Sequence, residues 1–383
     1  MDTVSVFRKS SFYITDASIC DTSGNLLFYT NGIIIENKNY DTLLNSHNFN
    51  PGEITVAYND NGSPSCQGAV IIPYPDSDSK YYVIYISGEY FVANNTFEAQ
   101  PLYLSYSVID MELDGGNGGI IEDLKNIHLV DDTLTFGGLT AVKHANGKDW
   151  WVIAHRYYSD LYYKFLVTAD GIEGPFQQHI GSKIKYDVFV QSTFSPDGSK
   201  FCFSNHGGWF DYMSFDRCTG EFSNSVTVES LDSLSILGNS FSPNGRFLYI
   251  SSSYNLYQYD TWNPDMVTYP IHIAAWDTFT NLGTPVLFFM HQLAPDNRIY
   301  ISPFNGVSYI NVINSPDSLG TDCNFLPHSL KLPDHQYTVN IPSFPNYDLG
   351  AIMGGDTCNS VYTIQLNAQN ERVFYKIAPN PVS

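Results

Sequence analysis

Apolar residues in this chain come in short uninterrupted runs, and each run follows a polar turn. Phe201-Cys202-Phe203, Phe247-Leu248-Tyr249-Ile250 and Ile299-Tyr300-Ile301 are the clearest, with Trp150-Trp151-Val152-Ile153, Tyr81-Tyr82-Val83-Ile84-Tyr85 and Leu26-Leu27-Phe28-Tyr29 upstream. Neighbouring positions are apolar together, with neither the helical 3.6 spacing nor strict alternation. This is the pattern of short strands covered on both faces.

The turns repeat. Phe194-Ser195-Pro196-Asp197-Gly198 returns as Phe241-Ser242-Pro243-Asn244-Gly245 and, altered, as Leu293-Ala294-Pro295-Asp296-Asn297. Earlier counterparts are Asp21 to Asn25, Pro75 to Lys80 and Ala145 to Lys148. Proline presets the first turn position, Asp or Asn tolerates the second, and Gly or Asn supplies the left-handed residue that closes a hairpin. From Gly147 onward the period is about fifty residues, in the range of propellers and solenoids. A third strand, such as Asp211 to Asp216, and a more polar fourth, such as Ser225 to Val228, complete each unit.

Four antiparallel strands per repeat, with no amphipathic helix between them, predict an all-β single β-propeller. Six turns are visible. Val4 to Tyr13 and Ser343 to Leu349 could share one further blade, so seven blades are favoured and six are the alternative. The propeller is expected over 1–366, with 367–383 a linker and tail.

Composition narrows the function. The 383 residues carry 18 Lys+Arg against 39 Asp+Glu, a formal charge of −21. So acidic a chain is a poor partner for nucleic acid or an anionic membrane. No run approaches the ~18 apolar residues of a spanning helix, so no membrane insertion is expected. Met1 to Arg8 shows no basic segment leading into an apolar stretch, as a signal peptide would. The six cysteines include no CxxC pair, which argues against a zinc cluster; their pairing cannot be deduced from spacing, and buried free thiols with at most one bridge are the plain expectation.

Ala17 to Gly32, Leu139 to Val152, Ile313 to Pro316 and Ile341 to Tyr347 resemble motifs of the WD-repeat-like propellers found in secreted and surface proteins of Bacteroidota. Tyr375 to Ser383, with Pro379, Asn380 and Pro381 at its centre, is similar to the start of the C-terminal sorting domain read by the type IX secretion system. The resemblance implies export to the cell surface or medium, with that machinery as partner. The family's usual signal peptide and the rest of the sorting domain are not seen.

Enzyme signatures are missing: there is no GxSxG, HExxH, P-loop or EF-hand loop. Gly115-Gly116-Asn117-Gly118-Gly119 reads as a turn. His144, His155, His206 and His291 lie beside predicted inner strands without metal-ligand spacing, so no metal or other cofactor is expected. The turns after each first strand share one face of the disc, which puts the second-to-third-strand connections on the other. Those connections carry His155, Arg156, Tyr157, His206, Trp209 and Tyr254, taken here as candidate ligand-binding residues. The leading expectation is a non-catalytic secreted propeller that binds a surface protein or glycan. A hydrolase or lactonase-like enzyme with a central metal, and a structural spacer, are the alternatives.

Overall fold

A computed structural model describes residues 8, 10–93, 96–183, 189–266, 268–333, 339–352, 358, 362–366 and 372–376. Six antiparallel sheets follow one another along the chain, as blades of a propeller. Their innermost strands are Ala17–Cys20, Ala69–Pro73, Thr140–Lys143, Gln191–Phe194, Ile236–Phe241 and Phe288–Leu293. Blades two to six carry four strands on the main path. The first carries three, with an isolated bridge from Glu36 to Thr42 in place of the outer strand. The second blade adds Gly119–Ile120 and a hairpin, Glu89–Ala93 with Thr96–Gln100, between its second and third strands.

The turns act as their residues predict. Gly24, Asp76, Gly147, Gly198, Gly245 and Asn297 all take positive φ, one in each first hairpin. In the fourth blade Ser195 Oγ donates to Asp197 Oδ1 and accepts from Lys200 N–H, at 2.5 and 3.0 Å. Ser242 repeats this with Asn244 and Phe247, at 2.9 and 3.0 Å. A Cβ on Gly198 would stand 2.7 Å from Arg217 Cδ and 2.8 Å from Val142 Cγ2, so both conformation and space demand glycine there.

Apolar clusters fill each seam from blade one to blade six. Trp150 joins the seam between blades two and three, and Trp151 the next, both fully buried. Truncating either to alanine is expected to cost about 3–5 kcal/mol.

The ring has six blades, the alternative rather than the favoured count of seven. Ser343 to Leu349 forms no strand. Pro342 and Pro345 remove two of the backbone donors that a ladder would need. The segment instead crosses the mouth of the axial channel. Closure comes from Asn340 Nδ2 donating to Ile14 O, and from Ser343 N–H donating to Asp16 O at 2.9 Å. Val4 to Phe7 and the tail residues Pro379, Asn380 and Pro381 lie outside the described residues, as does most of 367–383.

One disulfide, Cys218–Cys358, spans 140 residues with Cα atoms 5.3 Å apart. It ties the chain beyond the closing segment to the outer hairpin of blade four. Beside it, buried Arg217 donates to the carbonyls of Lys143, His144, Asp197 and Gly350, at 2.7 to 3.3 Å. Those carbonyls surround the guanidinium and moor the closing segment to the rim.

Candidate functional site at the axial channel

The innermost strand of every blade is a sheet edge, and its outward backbone groups face the axis. Side-chain amides occupy many of them. Gln67 accepts from Ser192 N–H (2.7 Å) and donates to Ser192 O (2.9 Å). Gln191 does the same to His291, at 3.1 and 2.6 Å, and also accepts from Asn239 N–H at 3.0 Å. Asn239 Nδ2 returns to Gln191 O (2.9 Å) and Ser204 Oγ (2.8 Å). This collar laces blades two, four, five and six together. None of its members stands out in the sequence, because each contact spans 35 residues or more.

Above the collar, a cavity of about 380 Å³ opens on the face of the Pro-Asp-Gly turns. Blades three to six, Gln67 of the collar and the closing segment wall it. Its apolar wall includes Phe194, Phe241, Leu293, Pro243, Pro295 and Phe344. Thr193, Ser195, Gln292 and Ser343 supply hydroxyl and amide groups. Asp348 is the carboxylate among the lining residues, and no lysine or arginine joins it. His291 sits at the floor, with Nε2 2.8 Å from Ser251 Oγ and its ring against Gly238, where a Cβ would meet Cδ2 at 2.7 Å. Burial pushes its pKa down to about 3, so the floor is neutral at physiological pH.

On the opposite face the axis is filled. Ile14, Cys66, Leu237, Phe289 and Met290 pack there with Phe189, Phe304 and Val339. The candidate residues on that side are spread over three blades. His155 is fully buried, 5.1 Å from the Phe203 ring and 4.4 Å from that of Tyr162, with a pKa pushed down to about 3 by burial. His206 lies 5.9 Å from Phe189, and burial lowers its pKa too. Trp209 donates Nε1–H to Ser182 Oγ, which in turn donates to Asp211 Oδ2 at 2.7 Å. Exposed Arg156 pairs with Asp132 Oδ2 at 2.9 Å, and Tyr157 stands edge-on to exposed Tyr158 at 4.4 Å. Tyr254, also exposed, lies 5.9 Å from Trp276 on the fifth blade.

Among the described residues no three His, Cys, Asp or Glu side chains gather as a metal site. His144, His155, His206 and His291 each lie in separate packing environments, His144 bonding Cys218 O at 3.1 Å.

No family model matches the sequence, and no curated protein matches it either. Solved structures do. A protein from Lactobacillus plantarum is 12% identical, covers 83% of this chain and 96% of its own, and has a TM-score of 0.41. A luciferin-regenerating enzyme is 11% identical over 77% of this chain and 85% of its own, at a TM-score of 0.41. The β-propeller domain of Cps50 (Swd1) from Myceliophteria thermophila is 11% identical over 79% of this chain and 96% of its own, at 0.38. At such identities and TM-scores the likeness carries no argument about function, and the β-propeller assignment rests on the six sheets themselves.

Proposed function

We propose that this chain is a non-catalytic binding propeller that takes an uncharged ligand or partner segment in its turn-face cavity. One observation carries the reading: a rigid ring encloses a cavity whose wall is apolar and aromatic with hydroxyl and amide groups set into it. The strongly negative body around it disfavours anionic partners. The Ser251–His291 pair is the nearest approach to catalytic chemistry. Ser251 is fully buried, however, and His291 Nδ1 has no orienting partner among the described residues.

In this reading the full-length protein is exported, through the type IX machinery acting on Pro379, Asn380 and Pro381. The Cys218–Cys358 bond supports export, since disulfides persist in oxidising compartments. Fractionation of cells with and without that machinery tests it, and a purely cytosolic protein would refute it.

The binding reading is tested with a neutral glycan array and a surface-protein array. Ala294→Arg, which sets a long cation at the cavity wall, should weaken any specific binder at least tenfold. The melting temperature is read beside it, because Ala294 also packs against Tyr300, Ile310 and Val312. Unchanged binding by that variant removes the cavity as the site.

A further inference from the structure

Strand register decides which backbone groups face the axis. Ser195 N–H donates to Lys200 O at 2.9 Å, so Ser195 and Lys200 face each other as a hydrogen-bonded pair. Phe194, opposite Phe201, therefore turns its N–H and C=O away from the second strand and toward the channel. The same parity, set by Ser242 N–H to Phe247 O at 2.7 Å, turns Phe241 inward. One tier deeper, the equivalent groups of Ser192, Asn239 and His291 are held by the amide collar. At the tier of Phe194 and Phe241 the cavity itself lies against them, with Ser240 Oγ donating to the Phe241 carbonyl at 3.3 Å.

The chain shows what fills the adjoining half of this channel. Gln292 brackets the Phe344 backbone, accepting from its N–H and donating to its C=O at 3.5 Å each. Asn346 Nδ2 donates to Pro196 O at 2.9 Å. Tyr347 donates its hydroxyl to the axis-facing carbonyl of Ile71 at 2.8 Å, its ring edge-on to Trp150 at 6.0 Å. The built-in occupant is thus a non-helical segment, Pro342 to Leu349, punctuated by proline and anchored by aromatic rings.

We infer that the cavity binds a second segment of this kind: an extended, uncharged peptide from a partner protein, bearing proline and an aromatic side chain. Its backbone pairs with the inward N–H and C=O of Phe194 and with the inward N–H of Phe241. Its ring packs among Phe344, Leu293 and the rim prolines, Pro243 and Pro295. Asp348 and the acidic body exclude acidic peptides. The inference rests on the binding reading above and names its ligand class.

The test pans the 383-residue protein against a heptapeptide phage library, beside the neutral glycan array. Enriched peptides are expected to pair proline with an aromatic residue and to lack Asp and Glu. Ala294→Arg should weaken them at least tenfold, and so should N-methylation of at least one backbone amide of the peptide. Should Ala294→Arg fail to fold, Pro295→Arg at the exposed rim replaces it. Enriched peptides that ignore the rim variant, or tolerate N-methylation at every position, overturn the inference. Neutral glycans that bind in its place, and are lost in Ala294→Arg, overturn the peptide while leaving the binding module standing. If the rim variants alter binding of neither class, both readings fall.

Discussion

Gln67 and Ser192 meet across the axial channel, 125 residues apart in sequence, and exchange two hydrogen bonds between one side-chain amide and one backbone unit. The amide serves Ser192 as a neighbouring strand would. It satisfies an edge that would otherwise stand unpaired in a buried place.

Gln67→Ala leaves a buried N–H and C=O without partners and is expected to cost about 3 kcal/mol. Gln67→Glu should cost at least as much, because a carboxylate oxygen then faces the Ser192 carbonyl. Urea denaturation with an unchanged m-value checks both. A loss within about 0.5 kcal/mol, the range of ordinary surface substitutions, would mean that water replaces the amide freely.

The disulfide yields a second prediction. Reduction should lower stability by about 2–4 kcal/mol, because the bond closes a long loop. Alkylation of the native oxidised protein should label Cys20, the exposed thiol, slowly, since burial and nearby Asp21 raise its pKa. Cys66, Cys202 and Cys323 are buried and should label only after denaturation. Intact mass before and after denaturation reads both steps.

The blades were legible in the sequence because their signals are local. Ser195, Asp197 and Gly198 build a turn from neighbours five residues apart at most, and the apolar run after it needs no distant partner to be recognised. The closing segment misled because Phe344, Tyr347 and Leu349 look strand-like. Pro342 and Pro345 were the contrary signal. The collar could not be read at all, since nothing about Gln67 or Asn239 shows which edge it faces. The pattern places His155 on a connection as a ligand-binding candidate, yet it ends a strand whose six residues are all buried.

Acid should destabilise the protein from near neutrality downward. His155 and His291 ionise near 6.5 in the unfolded chain and are pushed down to about 3 in the fold, both by burial. Between those values the unfolded chain binds the additional protons. Stability is therefore full above about pH 6.5 and is lost as pH falls toward 3. Asp16 acts oppositely. Burial raises it to about 7 despite the attraction of Arg8, so its contribution is present below its unfolded value of 3.8 and lost as pH rises through 7. Two histidines outweigh one aspartate between pH 6 and 4.5. His155→Phe should reduce the slope of stability against pH there by up to one proton, about 1.4 kcal/mol per pH unit. Urea midpoints across that window measure it, and an unaltered slope would show that His155 already titrates normally.

Arg156 and Trp209 separate packing from recognition on the face opposite the cavity. The Arg156–Asp132 pair is about half-exposed on the arginine side, and Tyr163 donates to the same carboxylate, which keeps that partner when Arg156 is removed. Arg156→Ala should therefore change stability by less than about 1 kcal/mol. Trp209 is partly buried against Gly207, where a Cβ would collide with its ring at 2.0 Å, and it holds Ser182 through the indole N–H. Trp209→Ala should cost about 2–4 kcal/mol. A fall in binding by Trp209→Ala alone is thus uninformative, because it would accompany unfolding. Arg156→Ala is the clean probe. Binding retained by it and lost by Ala294→Arg places recognition at the turn-face cavity. The reverse pattern, at an unchanged melting temperature, moves recognition to the connections around Arg156, Tyr157 and Tyr254.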